Sequence, residues 1–285
     1  MGRPVVAILG GRGMLGTDLA AACAAKGLTV RTYDLPEFDV TDDRQLREAI
    51  GPADAVLNCA AYTNVDGAET EAELAHRVNA EAVGNLGALA RQSGKWVLHF
   101  STDFVFDGTL DRPYRESDTP NPLNEYGRSK LAGERYLDES RCAHCIVRLE
   151  WTYGAHGKSF VTKLLERARH GEMLTVVDDQ IGSPTATTQV AAAACRLVES
   201  RVEGLFHLAA DGYVTRFGMA GFILDRSGLE APLHPCRSSD YAAPAVRPLN
   251  SRFDCSKIQA LLDDPIEPWQ GPLERFVRRL CEVSS

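Results

Sequence analysis

Short, mostly apolar runs punctuate the first half of the chain at Val5–Leu9, Thr29–Tyr33, Ala55–Asn58, 96–101 and 145–149, and each predicts a strand. Between them, helical patterns cover 14–26, 44–50, 68–92 and 124–140. Strands that are nearly continuous apolar runs suit a sheet covered on both faces. Strand alternating with helix implies parallel strands joined by crossovers. The pattern therefore predicts an α/β fold with a Rossmann-type, doubly wound parallel sheet.

The second half is less regular. It predicts helices over 159–170 and 187–199 and extended segments at Leu174–Val177 and Gly204–Leu208. Beyond these, Pro232, Pro235, Pro244, Pro248, Pro265, Pro268 and Pro272 accumulate, which predicts a loop-rich region. The expected division is residues 1–150 as the Rossmann domain and 151–285 as a smaller C-terminal lobe, with some late segments returning to the first domain.

Composition narrows the partners. A net charge of -8 disfavours nucleic acid and anionic membranes, whose fields repel an acidic protein. No apolar run reaches the length of about 18 residues that a membrane helix needs. The start runs directly into the first strand without the pattern of a signal peptide, so a cytoplasmic location is expected. The eight cysteines are scattered, which suits free thiols in a reducing compartment. Cys142 and Cys145 have CxxC spacing but no second pair to complete a metal site.

Chemistry enters at GGRGMLG (10–16), where Gly10, Gly13 and Gly16 follow a strand and open a helix. Glycines there let the backbone approach a pyrophosphate, and the helix N-terminus supplies free N–H groups. Asp34 ends the second strand, where a carboxylate binds a ribose hydroxyl and favours NADH. Arg12 and Arg31 are placed to meet a 2′-phosphate instead, so NADH and NADPH both stay open. STDFVFDG (101–108) follows the fourth strand, at the sheet edge where ligands bind in such folds. Tyr126 and Lys130 are four apart, on one helical face. An ammonium beside a phenol favours the phenolate, and such a pair can exchange a proton with a carbonyl or alcohol oxygen.

Together the glycine turn, NCAAYTNVD (58–66), the Ser-Thr-Asp strand end and YxxxK resemble the extended short-chain dehydrogenase/reductase family. Within it, the resemblance is to the branch that reduces 4-keto-6-deoxy sugars carried on dTDP. The likeness extends through VDGAETEAELAHRVNAEAVGNLG, VVDDQIGSPT and VRPLNSRFD, so it covers nearly the whole chain. It implies reduction at sugar carbon 4, converting dTDP-4-dehydro-L-rhamnose to dTDP-L-rhamnose. Thr102 would hydrogen-bond the reacting oxygen, Tyr126 protonate it, Lys130 hold the nicotinamide ribose, and Asp103 shape the site.

The resemblance also implies a cofactor path. It would run past Met14 and Leu15 in the glycine turn, Asp39 and Val40 after the second strand, then Ala60, Ala61, Tyr62, Thr63 and Asn79. Val65, Asp66, Trp151 and Arg247 would meet the sugar nucleotide, making the C-terminal lobe the sugar-nucleotide-binding part of a monomer or homodimer. Phe104 stands where sugar dehydratases carry a glutamate, which argues against dehydration. Some relatives hold magnesium through three glutamates; Asp18 and Thr188 occupy two of those positions, so no metal is expected. Glu150 departs from the usual Arg-Thr-Ser-Trp run, either as a buried acid near substrate or as a surface substitution. Other sugar-nucleotide oxidoreductases or epimerases share this pattern. So does the non-catalytic regulatory subunit of methionine adenosyltransferase.

Overall fold

In the computed structural model, which describes residues 3–240 and 242–282, strand and helix alternate from the start of the chain. The first elements are β1 (Val5–Leu9), α1 (Met14–Ala25), β2 (Thr29–Tyr33), α2 (Asp43–Ile50) and β3 (Ala55–Asn58). They are followed by α3 (Ala72–His76), α4 (Ala82–Ser93), β4 (Trp96–Thr102), α5 (Glu125–Glu139) and β5 (His144–Leu149). Next come β6 (Thr152–Tyr153), α6 (Phe160–Arg169), β7 (Leu174–Val177), β8 (Ile181–Gly182), β9 (Thr185–Ala186), α7 (Thr187–Ser200) and β10 (Gly204–Leu208). The chain ends with β11 (Val214–Thr215), α8 (Arg216–Ser227), β12 (Leu233–Cys236), α9 (Ser256–Gln259) and α10 (Gln270–Glu282).

Six strands form the central sheet in the order β10-β5-β4-β3-β1-β2, and every pair is parallel. The expected α/β class holds. Successive side chains along a strand face opposite ways, so Ile8, Leu57, Leu98 and Val147 pack with Leu19 of α1 and Val190 of α7. Ala7, Leu9, Val56 and Val97 pack on the other face with Leu46 of α2, Leu86 of α4 and Leu137 of α5. A separate core joins α6, α8 and α10 through Leu165, Ile223 and Phe276. The late strand β10 extends the main sheet beyond β5.

Two expectations need correction. The single helix over 68–92 is interrupted: a 3-10 turn at Gly67–Glu69 precedes α3, and a widened turn at Arg77–Glu81 separates α3 from α4. The widened turn lies where α5 presses closest. A Cβ at Gly133 would sit 2.0 Å from the Asn79 carbonyl oxygen, so backbone meets backbone there. The proline-rich tail also holds more regular structure than its composition predicts. Met219, Ala220, Ile223 and Leu224 form the buried stripe of α8, and Leu273, Phe276 and Val277 that of α10. Pro272 lies in the first turn of α10, where no backbone donor is required. Among the described residues, no helix is long and apolar enough to cross a membrane.

One polar contact inside this apolar frame fixes α5. Arg148 of β5 donates to Glu134 through Nε at 2.9 Å and Nη2 at 2.6 Å, with both side chains buried. Ser101 of β4 donates to the same carboxylate at 2.5 Å. Removing one partner of a buried ion pair leaves the other uncompensated, which costs about 3–5 kcal/mol. Glu134→Gln is therefore expected to lower unfolding free energy by about that amount in urea melts. A loss within the small range typical of a surface substitution would show that the pair does not anchor α5.

Candidate active site

The cofactor side is built at the carboxyl ends of β1, β2 and β3. Gly10 adopts φ +76°, and a Cβ there would lie 2.6 Å from the Ala60 backbone nitrogen, so the turn can pass the loop after β3 only as glycine. Its N–H donates to the Tyr33 carbonyl at 2.8 Å, and the Gly13 N–H donates back to the Gly10 carbonyl at 3.1 Å. A Cβ at Gly16 would lie 2.1 Å from the Gly10 carbonyl oxygen, so α1 starts hard against the turn. No side chain caps α1, and its first turn carries no acidic residue. The leading N–H groups, around Met14 and Leu15, are thus left for an anion.

Asp34 accepts the backbone N–H groups of Arg12 and Leu35, each at 2.8 Å. The Arg12 guanidinium meets the Leu35 carbonyl at 2.9 Å and Glu37 at 2.6 Å. Arg12, Asp34, Glu37 and Phe38 line a hollow of about 270 Å³ beside the turn. Ala60, Ala61, Tyr62 and Thr63 form the loop after β3. Asn79 is fully buried, and its amide is spent on Tyr62 N–H, the Tyr62 carbonyl and Ser129. It holds this loop against α5. Asp39 accepts from Thr41 and donates its N–H to Gln45, which lines the same hollow as Arg12 and Asp34, and Val40 is packed into the core under α2.

At the end of β4, Thr102 donates to Asp103 at 3.1 Å and accepts from the Phe104 N–H at 3.2 Å. The first bond is long for a hydroxyl donor, so Thr102 can exchange it for another acceptor. Asp103 in turn accepts from Ser251, late in the chain, at 2.5 Å. Burial pushes Asp103 up to about 6 against the pull of these two hydroxyls. Asn124 caps α5 through the Gly127 N–H at 2.8 Å and reaches the Val246 carbonyl at 2.7 Å, tying the helix start to a segment late in the chain. This sets Tyr126 beside Thr102 and edge-on to Phe104, with ring centres 5.6 Å apart.

Burial raises the Tyr126 phenol to about 12, although the Thr102 hydroxyl favours its ionised form. This differs from the expectation that Lys130 would lower it. Lys130 donates instead to the Phe100 carbonyl at 2.7 Å, and burial lowers its own ammonium to about 8. Tyr126 therefore rests as a phenol, the form that can give a proton. His99, inside β4, accepts from Asn58 at 3.1 Å, and burial keeps it neutral, so it is a core residue and no catalyst.

On the expected substrate side, Arg247 donates to Asp66 at 2.8 Å, which joins two of the expected contact residues from distant parts of the chain. Val65 precedes Asp66 and is half-buried. Trp151 follows β5 with φ +44°, a left-handed conformation rare for a bulky residue. Glu150 is 1% exposed, which eliminates the surface alternative. One of its oxygens accepts the Ser183 N–H at 2.9 Å, and burial, aided by nearby Asp103, pushes the carboxyl well above its usual range. Sequence reasoning missed three residues here. Ser251 lies inside VRPLNSRFD but drew no role, Arg216 lies in a stretch read as loop, and Glu37 follows a turn with no motif of its own.

The family model described as RmlD substrate binding domain matches residues 5–282. The dTDP-4-dehydrorhamnose reductase of Salmonella typhimurium is 34% identical, covering 98% of this chain and 99% of that protein. The enzyme of that name from Mycolicibacterium smegmatis is 37% identical, over 95% of this chain and 84% of that protein. The crystal structure of dTDP-4-dehydrorhamnose reductase from Bacillus anthracis in complex with NADP superposes with a TM-score of 0.93. It is 30% identical and covers 98% of this chain and all of that one, at 100%.

The Lys130 environment has a pH signature. A base lowered to about 8 in the fold, against an ordinary value near 10.5, binds fewer protons folded than unfolded between those values. Its contribution to stability must therefore rise with pH across that window. Relative to Lys130→Met, the wild-type protein should gain up to roughly 3 kcal/mol between pH 8 and 10.5 in urea unfolding. A difference that stays flat would place the ammonium in water.

Proposed function

The chain belongs to the family of the RmlD substrate binding domain, and on that premise we propose that it reduces dTDP-4-dehydro-L-rhamnose to dTDP-L-rhamnose with a nicotinamide cofactor. The observation that carries this reading is the Tyr126 phenol beside Thr102, on the same sheet edge as an uncapped glycine turn. The turn fits a dinucleotide: it brings free N–H groups to the edge, with no carboxylate in the first turn of α1 to repel a pyrophosphate. Gly10, Gly13 and Gly16 would admit the diphosphate, and the loop 60–63 would flank the path to Lys130. A reduced nicotinamide bound along this path would supply the hydride for carbon 4.

The chain's residues then manage the oxygen on that carbon. As charge develops on it, Thr102 turns its proton from Asp103 to the oxygen, and Tyr126 gives its phenolic proton. Lys130, whose ammonium donates to the Phe100 carbonyl at this edge, would hold the nicotinamide ribose. Asp103, bonded to both Thr102 and Ser251, holds the donor in place. Val65, Asp66, Trp151 and Arg247 bind the sugar nucleotide, with Arg247 toward the diphosphate. This reading puts the enzyme in the cytoplasm as a monomer or homodimer, acting on neither nucleic acid nor membranes.

Purified protein supplied with dTDP-4-dehydro-L-rhamnose should consume NADPH or NADH. Tyr126→Phe should lower that rate by at least about 100-fold while changing the cofactor Kd by no more than about twofold. No consumption by the wild-type protein with either cofactor would overturn the reading.

The choice of cofactor rests on Arg12. Its ion pair with Glu37 is exposed on both sides and easily exchanged for a 2′-phosphate, while each Asp34 oxygen keeps a lone pair for a ribose hydroxyl. Fluorescence titration should show Arg12→Ala weakening NADPH by roughly five- to tenfold and leaving NADH unchanged. Equal weakening of both would remove Arg12 from this role.

A further inference from the structure

We propose that Arg216 binds the sugar half of the substrate, its guanidinium edge taking a ring hydroxyl oxygen close to the carbon being reduced. This rests on the sugar-nucleotide reading above. Arg216 opens α8, and two contacts set it there. Thr215 caps the helix through the Gly218 N–H at 3.0 Å, and the Arg216 N–H donates to the Gln180 carbonyl at 3.0 Å. The guanidinium carbon lies 3.5 Å from the centre of the Trp151 ring and 5.2 Å from that of Phe160. Stacking occupies the face of a guanidinium and leaves its N–H groups, which lie in its plane, free to donate.

Those donors are unspent. Among the described residues the Arg216 side chain makes no hydrogen bond or ion pair, although it is half-buried. The other arginine on this side is committed: Arg247 to Asp66 and the Ala245 carbonyl. A guanidinium carries five donors, and leaving them unpaired while partly removed from water is unfavourable. A second polar group nearby also lacks a partner. Glu150 Oε1 is buried without a hydrogen bond, while its other oxygen accepts from Ser183. Gly182 makes the arrangement possible, since a Cβ there would lie 2.6 Å from the Trp151 ring and 2.7 Å from Glu150 Oε2.

Local charge decides what the site takes. Asp103 and Glu150 both face Arg216, with Arg247 opposing it. Burial beside Asp103 favours the uncharged form of Glu150, and Asp103 balances the Arg216 cation, so the cluster carries no surplus of positive charge. Such a donor-rich cluster suits uncharged hydroxyls better than a diphosphate, which would want net positive charge. Asp103 is also the residue bonded to Thr102, which places Arg216 toward the reacting end of the substrate.

The test is calorimetric titration of the protein, saturated with NADP, using dTDP-L-rhamnose and dTDP separately. Arg216→Met, which keeps the length and apolar stack, should weaken dTDP-L-rhamnose by at least about tenfold and leave dTDP unchanged. Arg216→Lys, which keeps the charge but loses the planar fork, should fall between and serves if the methionine variant does not fold. Equal weakening of both ligands would assign Arg216 to the diphosphate and overturn the proposal. Unchanged binding of both would make Arg216 a structural residue only. A wild-type protein that binds no dTDP-L-rhamnose would instead overturn the functional reading on which the proposal stands.

Discussion

Where water is excluded between α5 and the sheet, the Arg148 guanidinium meets the Glu134 carboxylate through two bonds, and Ser101 adds a third. A bidentate pair of this kind fixes direction as well as distance. It therefore sets the position of α5 along β4 and β5, and α5 carries both Tyr126 and Lys130. Two close approaches complete the constraint. Gly127 lets the start of the helix lie against the Phe104 carbonyl, and Gly133 lets its middle lie against Asn79. Shifting α5 by one turn would move the phenol off Thr102 and the ammonium off Phe100 together.

The site edge is equally dependent on residues 245–251. Ser251 holds Asp103, Val246 accepts from Asn124, and Arg247 closes on Asp66. Each contact reaches a residue at the end of a strand or the start of a helix in the first half of the chain. Thr102 at the end of β4 and Tyr126 at the start of α5 form one side of the cleft, and much of what orients it comes from residues 245–251. Early and late parts of the chain thus meet at one edge of the sheet.

Much of this was legible from residue order. The strands were readable because a strand buried on both faces has to be apolar at nearly every position, as in Val5–Leu9 and 96–101. The glycine turn was readable because Gly10 and Gly16 face backbone atoms that leave no room for a Cβ. Tyr126 and Lys130 were readable because helical spacing alone puts them on one face. What stayed hidden depends on contacts distant in sequence. The widened turn at Arg77–Glu81 answers pressure from α5, which no local pattern records. Helices α8 and α10 were masked by prolines that in fact lie outside their interiors. Arg216 carries no motif, and only the fold brings it to Trp151 and Asp103. Glu150 could be read as buried or exposed until its neighbours, Ser183 and Asp103, were in place.

The central claim is that the cleft delivers hydride to one sugar carbon while Tyr126 and Thr102 receive the developing charge on its oxygen. Turnover of dTDP-4-dehydro-L-rhamnose with NADPH deuterated at nicotinamide carbon 4, followed by proton NMR of the product, tests this most directly. The account predicts one deuterium at sugar carbon 4 of dTDP-L-rhamnose and none elsewhere. Deuterium at another carbon, or product formed without deuterium from either face of the labelled cofactor, would contradict it.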